Sequence, residues 1–410
     1  MLLNYLWIGF FISALLFATG KAVITGDLQV FDEMVQSLFS TSKTAFEIAL
    51  GLTGTLAFWL GMLKIGERTG LIRLLTTALN PLFQRLMPEV PKDHPALGAM
   101  VMNLSANVLG LDNAATPMGI RAMQELQTLN PRPDTASNAQ ILFFVINASS
   151  VTLFPLSILT FRSMMGAAQP ADVLVPILLA TFCSTLAGVL SVAYMQKIRL
   201  SDPIVLAYLT LGTGAAAALA AFLLQAPPDI MQQRSTDMSN FALLGLIGAF
   251  LISALKQRVN AYEAFIEGAK EGFQTAIGLV PYLVAMLVAV AMVRASGLLD
   301  SLGDLLRGGF ELLAMDTRFV DALPTALIKP FSGSGARALM LEAMETYGVD
   351  SFPGRLATII QGSTETTFYV LAVYFGAVGI RNVRHAVGCG LLADLAGVIA
   401  AIVICYRFFG

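Results

Sequence analysis

Two carboxylates in this 410-residue chain fall where a charge is costly. Glu365 stands in the run "QGSTETT" (361–367) and Asp394 in "GLLADLAGV" (390–398), each embedded in long apolar sequence. An ionised side chain in a bilayer costs several kcal/mol unless it meets a partner or a polar cavity. One chemistry that keeps it there is coupling to a proton or cation. The other is a structural ion pair, with Arg337 or Lys329 as the partner of Glu365. Both readings stand at this point, and Glu365 and Asp394 are the candidate ion-coupling residues.

Neutral hydrogen-bonding side chains cluster in four breaks of apolar sequence, the run that holds Glu365 among them. "NLSANVLGLDNAATP" (103–117) offers Asn103, Asn107 and Asn113; "NASSVT" (147–152) offers Asn147 and Ser149. "KPFSGSGAR" (329–337) offers Ser332, Ser334 and Arg337, and the opening run adds Gln361, Ser363 and Thr364. These are the candidate solute-binding residues. Serine and threonine in membrane helices also bond their own backbone, so a structural role remains open for each. Asp112 reads more simply as the cap of the helix that follows it. The glycine–serine alternation before a helix start could present backbone N–H groups to an anionic group. It lacks the G-x-x-x-x-G-K spacing of nucleotide hydrolysis.

Metal and enzyme chemistry find little support. The chain has two histidines and three cysteines, with no ligand spacing among them, so no metal site and no cofactor are expected. Ser334 and Ser363 have no obvious base, and no enzymatic activity is expected.

The elements that must carry these residues are membrane helices. Only 13% of residues are charged, against about 25% in ordinary soluble domains, and mean hydropathy is +0.73. Candidate spans are 2–20, 43–64, 138–161, 172–196, 204–226, 240–256, 271–293, 355–380 and 384–407. The N-terminal run lacks a positive flank and a cleavage site and reads as a retained helix. Segments 68–88 and 297–314 have the helical amphipathicity of interfacial helices. Segments 95–126 and 324–346 start apolar, break on polar residues and resume as helices, the pattern of re-entrant hairpins.

The order span, amphipathic helix, broken hairpin occurs twice. At a shift of 227, Phe46, Gly51, Gly70 and Leu71 fall on Phe273, Gly278, Gly297 and Leu298. "NASSVTLFP" (147–155) falls on "QGSTETTFY" (361–369), and "LAGV" (186–189) on "LAGV" (395–398). Asn113 falls on Ser334, and Thr185 on Asp394. If each hairpin returns to its side of entry, equivalent spans lie five crossings apart, and the halves are inverted. The expected fold is an all-α polytopic inner-membrane helical bundle of two inverted repeats, each with an interfacial amphipathic helix and a re-entrant hairpin. Expected divisions are 1–200, a pair of linking transmembrane helices at 201–256, and 257–410. The distribution of Lys and Arg places the N-terminus inside and the C-terminus outside.

The same residues carry a family resemblance. The segment 103–126 resembles the spore maturation protein A family, and 329–381 together with "GLLADLAGV" resembles the spore maturation protein B family. The chain looks like a fusion of the two, within the nucleoside-recognition (Gate) family, which also resembles parts of concentrative nucleoside transporters. The resemblance implies a multi-pass bacterial inner-membrane protein.

Together these readings favour a secondary transporter of a small polar solute, nucleoside or amino-acid-like, coupled to H⁺ or Na⁺. The alternative is a non-transporting membrane scaffold for envelope or spore maturation. Expected partners are the solute, the coupling ion and the lipid bilayer. A homo-oligomer stays open, and nucleic acid is not expected, because the net charge is −2 and no basic run exists.

Overall fold

Lipid offers the backbone no hydrogen-bond partner, so apolar runs of this length must coil on themselves. The computed structural model describes residues 2–26, 28–108, 112–150, 152–312, 314 and 316–410; the side chains of 2, 3, 6, 71–76, 112–114, 228 and 229 lie outside the description. The helices are α1 (Leu2–Thr25), α2 (Gln29–Arg68), α3 (Leu71–Leu86), α4 (Pro95–Val108), α5 (Asp112–Thr128), α6 (Asn138–Ala148), α7 (Leu156–Met164), α8 (Leu174–Gln196) and α9 (Pro203–Leu224). They continue as α10 (Pro228–Gln257), α11 (Ala261–Ala295), α12 (Leu298–Glu311), α13 (Leu323–Ile328), α14 (Gly333–Tyr347), α15 (Phe352–Ser363), α16 (Thr367–Gly376) and α17 (Ala386–Phe409). Among the described residues, seven helices are long and apolar enough to cross a membrane: α1, α2, α8, α9, α10, α11 and α17.

Two spans expected as continuous are broken. The 138–161 segment divides into α6 and α7, and the 355–380 segment into α15 and α16. Pro155 cannot supply the N–H that a continuing helix needs. In the second break, Thr364 and Thr366 take extended backbone. The hairpins divide in the same way, into α4–α5 and α13–α14.

The halves are inverted, and two crossings show it. The helices α2 and α11, equivalent by the 227-residue shift, pack along each other. Gly61 meets Phe265, Lys64 pairs with Glu267 and Glu271, and Arg68 pairs with Glu267. At the other end, Met34 shares an apolar cluster with Met292. Rising number in one helix meets falling number in the other, so equivalent helices run antiparallel. The pair α8 and α17 behaves identically: Gln196 contacts His385, Ser184 donates to the Ala393 carbonyl, and Val175 clusters with Phe408. The two "LAGV" stretches therefore cross each other at the middle of their spans.

Smaller features obey the same pseudo-two-fold. Gly70 and Gly297 both enter the interfacial helix with left-handed backbone, φ 67° and 82°, which a side chain would oppose. Helix α1 packs on α11 as α10 packs on α2. At one end, loop 134–136 is clasped to 381–384 by main-chain bonds, Ala136 N to Asn382 O (2.9 Å) and Arg381 N to Asp134 O (2.9 Å). At the opposite end, the equivalent loops meet through charge: Arg162 donates to Asp172 and Asp350, each at 2.9 Å, and Arg355 donates to Asp172 at 2.9 Å. One face of the bundle gathers Arg68, Arg85, Lys197, Arg199, Lys256 and Arg384, tied together by Gln257 to Thr69, Arg85 to Asp202 and Arg384 to Ala136.

Candidate functional site

The breaks of α6–α7 and α15–α16 meet at the pseudo-two-fold. Glu365 N–H donates to the Ala148 carbonyl at 2.9 Å, so the ends of α6 and α15 abut. Thr181 Oγ1, near mid-span of α8, donates to the Ser150 and Ser363 carbonyls, both at 2.9 Å. Thr185 reaches the Ser149 carbonyl at 3.4 Å. Helical spans cannot break in lipid without such donors and acceptors, and α8 supplies them.

Each hairpin tip is tied to the break of its own half. Leu153 N–H donates to Val108 O at 3.0 Å in the first half, and Phe368 N–H donates to Pro330 O at 2.9 Å in the second. Asn107 and Lys329 therefore occupy equivalent places. Asn107 donates to Asn147 Oδ1 at 2.8 Å, while Lys329 Nζ donates to the Gln361 carbonyl at 2.9 Å.

Between the tips and the breaks lies a cavity of about 330 Å³. From the first half it is lined by Asn107, Thr116, Asn147 and Phe161; from the second by Lys329, Arg337, Gln361, Glu365, Tyr369 and Tyr374. Asn147 is its organising amide: Oδ1 accepts from Asn107 and from the Tyr374 hydroxyl (3.1 Å), and Nδ2 donates to Phe143 O (2.9 Å). Among the described residues, the charged side chains of the wall, Lys329, Arg337 and Glu365, come from the second half. The first turn of α5 (Ala115, Thr116) and the start of α14 (Gly333) reach the cavity, and helix N-termini carry partial positive charge. The Arg337 guanidinium lies 5.4 Å from the Phe161 ring centre.

Of the sequence candidates, Asn107, Asn147, Arg337, Gln361 and Glu365 come together in this wall. Asn103 sits behind it, donating to Ala115 O (2.7 Å) and to the Tyr374 hydroxyl (3.1 Å). Ser149 and Ser363 turn back on their own helices, to Ile146 O (3.0 Å) and Ile360 O (2.9 Å). Ser332 caps α14 by accepting from Gly335 N–H (3.0 Å), and Ser334 bonds Ser332. Thr364 is buried beside a smaller chamber. Asp394 is buried on α17, with one carboxylate oxygen accepting from Thr367 Oγ1 at 2.7 Å. The side chain of Asn113 lies outside the described residues. The ion pairs of the described residues do not include one between Glu365 and Arg337 or Lys329; Glu365 is exposed to the cavity.

Sequence reasoning had not assigned Thr116, Phe161, Tyr369 and Tyr374 to the site, and had Lys329 only as an ion-pair partner. The register that sets Asn113 on Ser334 puts Ile328 opposite Asn107, so the repeat marked the neighbourhood of Lys329 but not the residue itself. The aromatics carry no such signal, because a tyrosine in an apolar helix suits a membrane boundary equally well.

Fold and site together define a polytopic helical membrane protein of two inverted repeats around a polar, solute-sized cavity. The chain belongs to the Gate family, described as "Nucleoside recognition", whose family model matches residues 49–168 and 276–381, together more than half of the chain. It is similar to spore maturation protein B of Bacillus subtilis (strain 168), 47% identical over 165 residues, covering 40% of this chain and 91% of that protein. It is also similar to spore maturation protein A of the same organism, 36% identical over 198 residues, covering 48% of this chain and 97% of that protein. No solved structure matches significantly.

Proposed function

We propose that this protein is a secondary carrier, not an enzyme, and that the cavity between the tips and the breaks binds its solute. The observation that carries this reading is the convergence of four broken segments, two from each inverted half, on one polar chamber. Irregular backbone at membrane depth is tolerated where it lines a cavity, and paired discontinuous helices are how carriers hold a solute at mid-membrane. A wall of amides, two cations, one carboxylate and aromatic rings suits a small molecule with ring and polar groups, a nucleoside or an amino-acid-like zwitterion. A cavity of about 330 Å³ falls at the small end of the 300–1,000 Å³ typical of such sites. Asn107, Asn147, Arg337 and Gln361 would hold the solute, and H⁺ or Na⁺ would drive it.

The test is uptake and binding by purified protein. In proteoliposomes, one class among nucleosides and zwitterionic amino acids should accumulate, and the same class should raise the melting temperature in detergent. Asn147→Ala should abolish both. Absence of binding and uptake across both classes would leave the membrane-scaffold reading in its place.

A further inference from the structure

Beside the main cavity, and sharing Gln361, Glu365, Ser157 and Ile158 with its wall, lies a chamber of about 40 Å³. Its polar lining is entirely oxygen-bearing or amide: Ser150, Thr152, Ser157, Gln361, Thr364 and Glu365. Two of these atoms are unusual. Among the described residues, Gln361 Oε1 and Thr364 Oγ1 are buried and have no hydrogen-bond partner, although the residues are only 6% and 2% exposed. Buried polar atoms are normally satisfied, because leaving one bare costs about 1–3 kcal/mol.

The helix ends agree in sign. Helix α6 stops at Ala148 and α15 at Ser363, and the Glu365–Ala148 main-chain bond holds these two C-termini together. Helix C-termini carry partial negative charge. The solute cavity meets helix N-termini, so the fold presents opposite fields to two adjoining spaces.

We propose that the small chamber is a Na⁺ site, with Gln361 Oε1, Thr364 Oγ1, the Ser150 and Thr152 hydroxyls and the Glu365 carboxylate as ligands. A dehydrated hard cation needs several oxygens in place of its water shell, and unwound backbone beside half-helix C-termini supplies them in carriers. One carboxylate among neutral oxygens balances a single positive charge; a divalent ion would leave an uncompensated charge in a low dielectric. A proton would occupy one oxygen and leave the others bare. This inference deepens the carrier reading by naming the coupling ion and its ligands. Glu365 belongs to both walls, so cation and solute would be linked through one side chain.

The experiment is thermal unfolding and ²³Na NMR of the full-length protein in detergent, at constant ionic strength with choline as the replacement cation. Na⁺ should raise the melting temperature saturably and broaden the ²³Na signal, while K⁺ should do neither at the same concentration. Thr364→Val keeps the methyl that packs on Gly397 and deletes the oxygen; it should weaken Na⁺ at least tenfold, and Thr364→Ser should restore it. If Thr364→Val fails to fold, Glu365→Gln serves in its place, since Glu365 is exposed. Equal responses to Na⁺, K⁺ and choline, or unchanged Na⁺ affinity in the variants, would overturn the site. Na⁺ binding without solute uptake would keep the site and sink the carrier; uptake indifferent to Na⁺ would do the reverse.

Discussion

Gly272 of α11 sits directly against the Leu56 carbonyl of α2, so closely that a Cβ there would stand 2.6 Å from the oxygen. Gly268, one turn earlier, meets the Leu60 carbonyl and Lys64 in the same way. Without a hydrophobic drive between helices in lipid, close backbone approach at small residues is what holds such a pair together. Gly272→Val should therefore push α2 and α11 apart and cost about 2–3 kcal/mol, by overpacking. Gly278→Ala, where nothing lies within 4 Å of the added carbon, should change stability by less than about 0.5 kcal/mol. Equilibrium unfolding in mixed micelles measures both, and equal effects would refute the role of close packing.

Much of this architecture was legible in the chain because inversion is a counting property. The glycine pair Gly70 and Gly297, the duplicated "LAGV" and the shared polar breaks mark equivalent places, and an odd number of crossings turns one over. The polar runs inside 138–161 and 355–380 were legible, but not that the helix stops there, because hydropathy averages over a few hydroxyls. Their depth is fixed by Thr181 and Thr185 on another helix. Nor did the sequence separate site serines from structural ones: Ser149 and Ser363 are as polar as Gln361, yet their hydroxyls turn onto Ile146 and Ile360. The start of the second repeat was placed after α10. Since α10 packs on α2 as α1 packs on α11, we propose that the second repeat begins near residue 228 and that α9 alone supplies the odd crossing.

The charged clasp at 162, 172, 350 and 355 should be among the costliest places to alter. Arg162 and Asp172 are 0% and 1% exposed, and Arg162 also donates to Val349 O at 2.9 Å, joining the two halves. Removing one partner of a buried pair typically costs 3–5 kcal/mol, because the remaining charge is stranded. Asp172→Asn should fall near about 3 kcal/mol, since Asp350 still accepts from Arg162. The exposed pair Arg307–Asp304 is the contrast: Asp304→Asn should cost less than about 1 kcal/mol. Denaturation curves of the two variants distinguish them.

Among the described residues, Thr367 is the one donor to Asp394, whose other carboxylate oxygen is buried without a hydrogen-bond partner. Thr367→Val keeps the branched shape that packs against Gly390 and removes that donor. It should destabilise the protein by about 1–3 kcal/mol, the cost of stranding a buried polar group. The double variant Thr367→Val with Asp394→Leu removes both halves of the interaction and should recover part of the loss, a coupling visible in a double-mutant cycle. Additive effects would show that the two residues act independently.

Glu365 and Arg337 face one cavity, and the structure separates two roles that the sequence left open. A structural pair requires contact; Glu365 is exposed to the cavity, and the ion pairs of the described residues do not join it to Arg337. In Na⁺-free detergent, Glu365→Gln should therefore change stability by less than about 1 kcal/mol, within the range of a substitution away from buried networks. Adding Arg337→Gln should bring no rescue, because the ion pairs of the described residues do not link Arg337 to Glu365. The same Glu365→Gln protein should lose its response to Na⁺, so one melting series with and without the ion reads both statements. A large loss of stability in Na⁺-free buffer, recovered by Arg337→Gln, would restore the ion-pair role and remove Glu365 from the list of residues free to meet an ion.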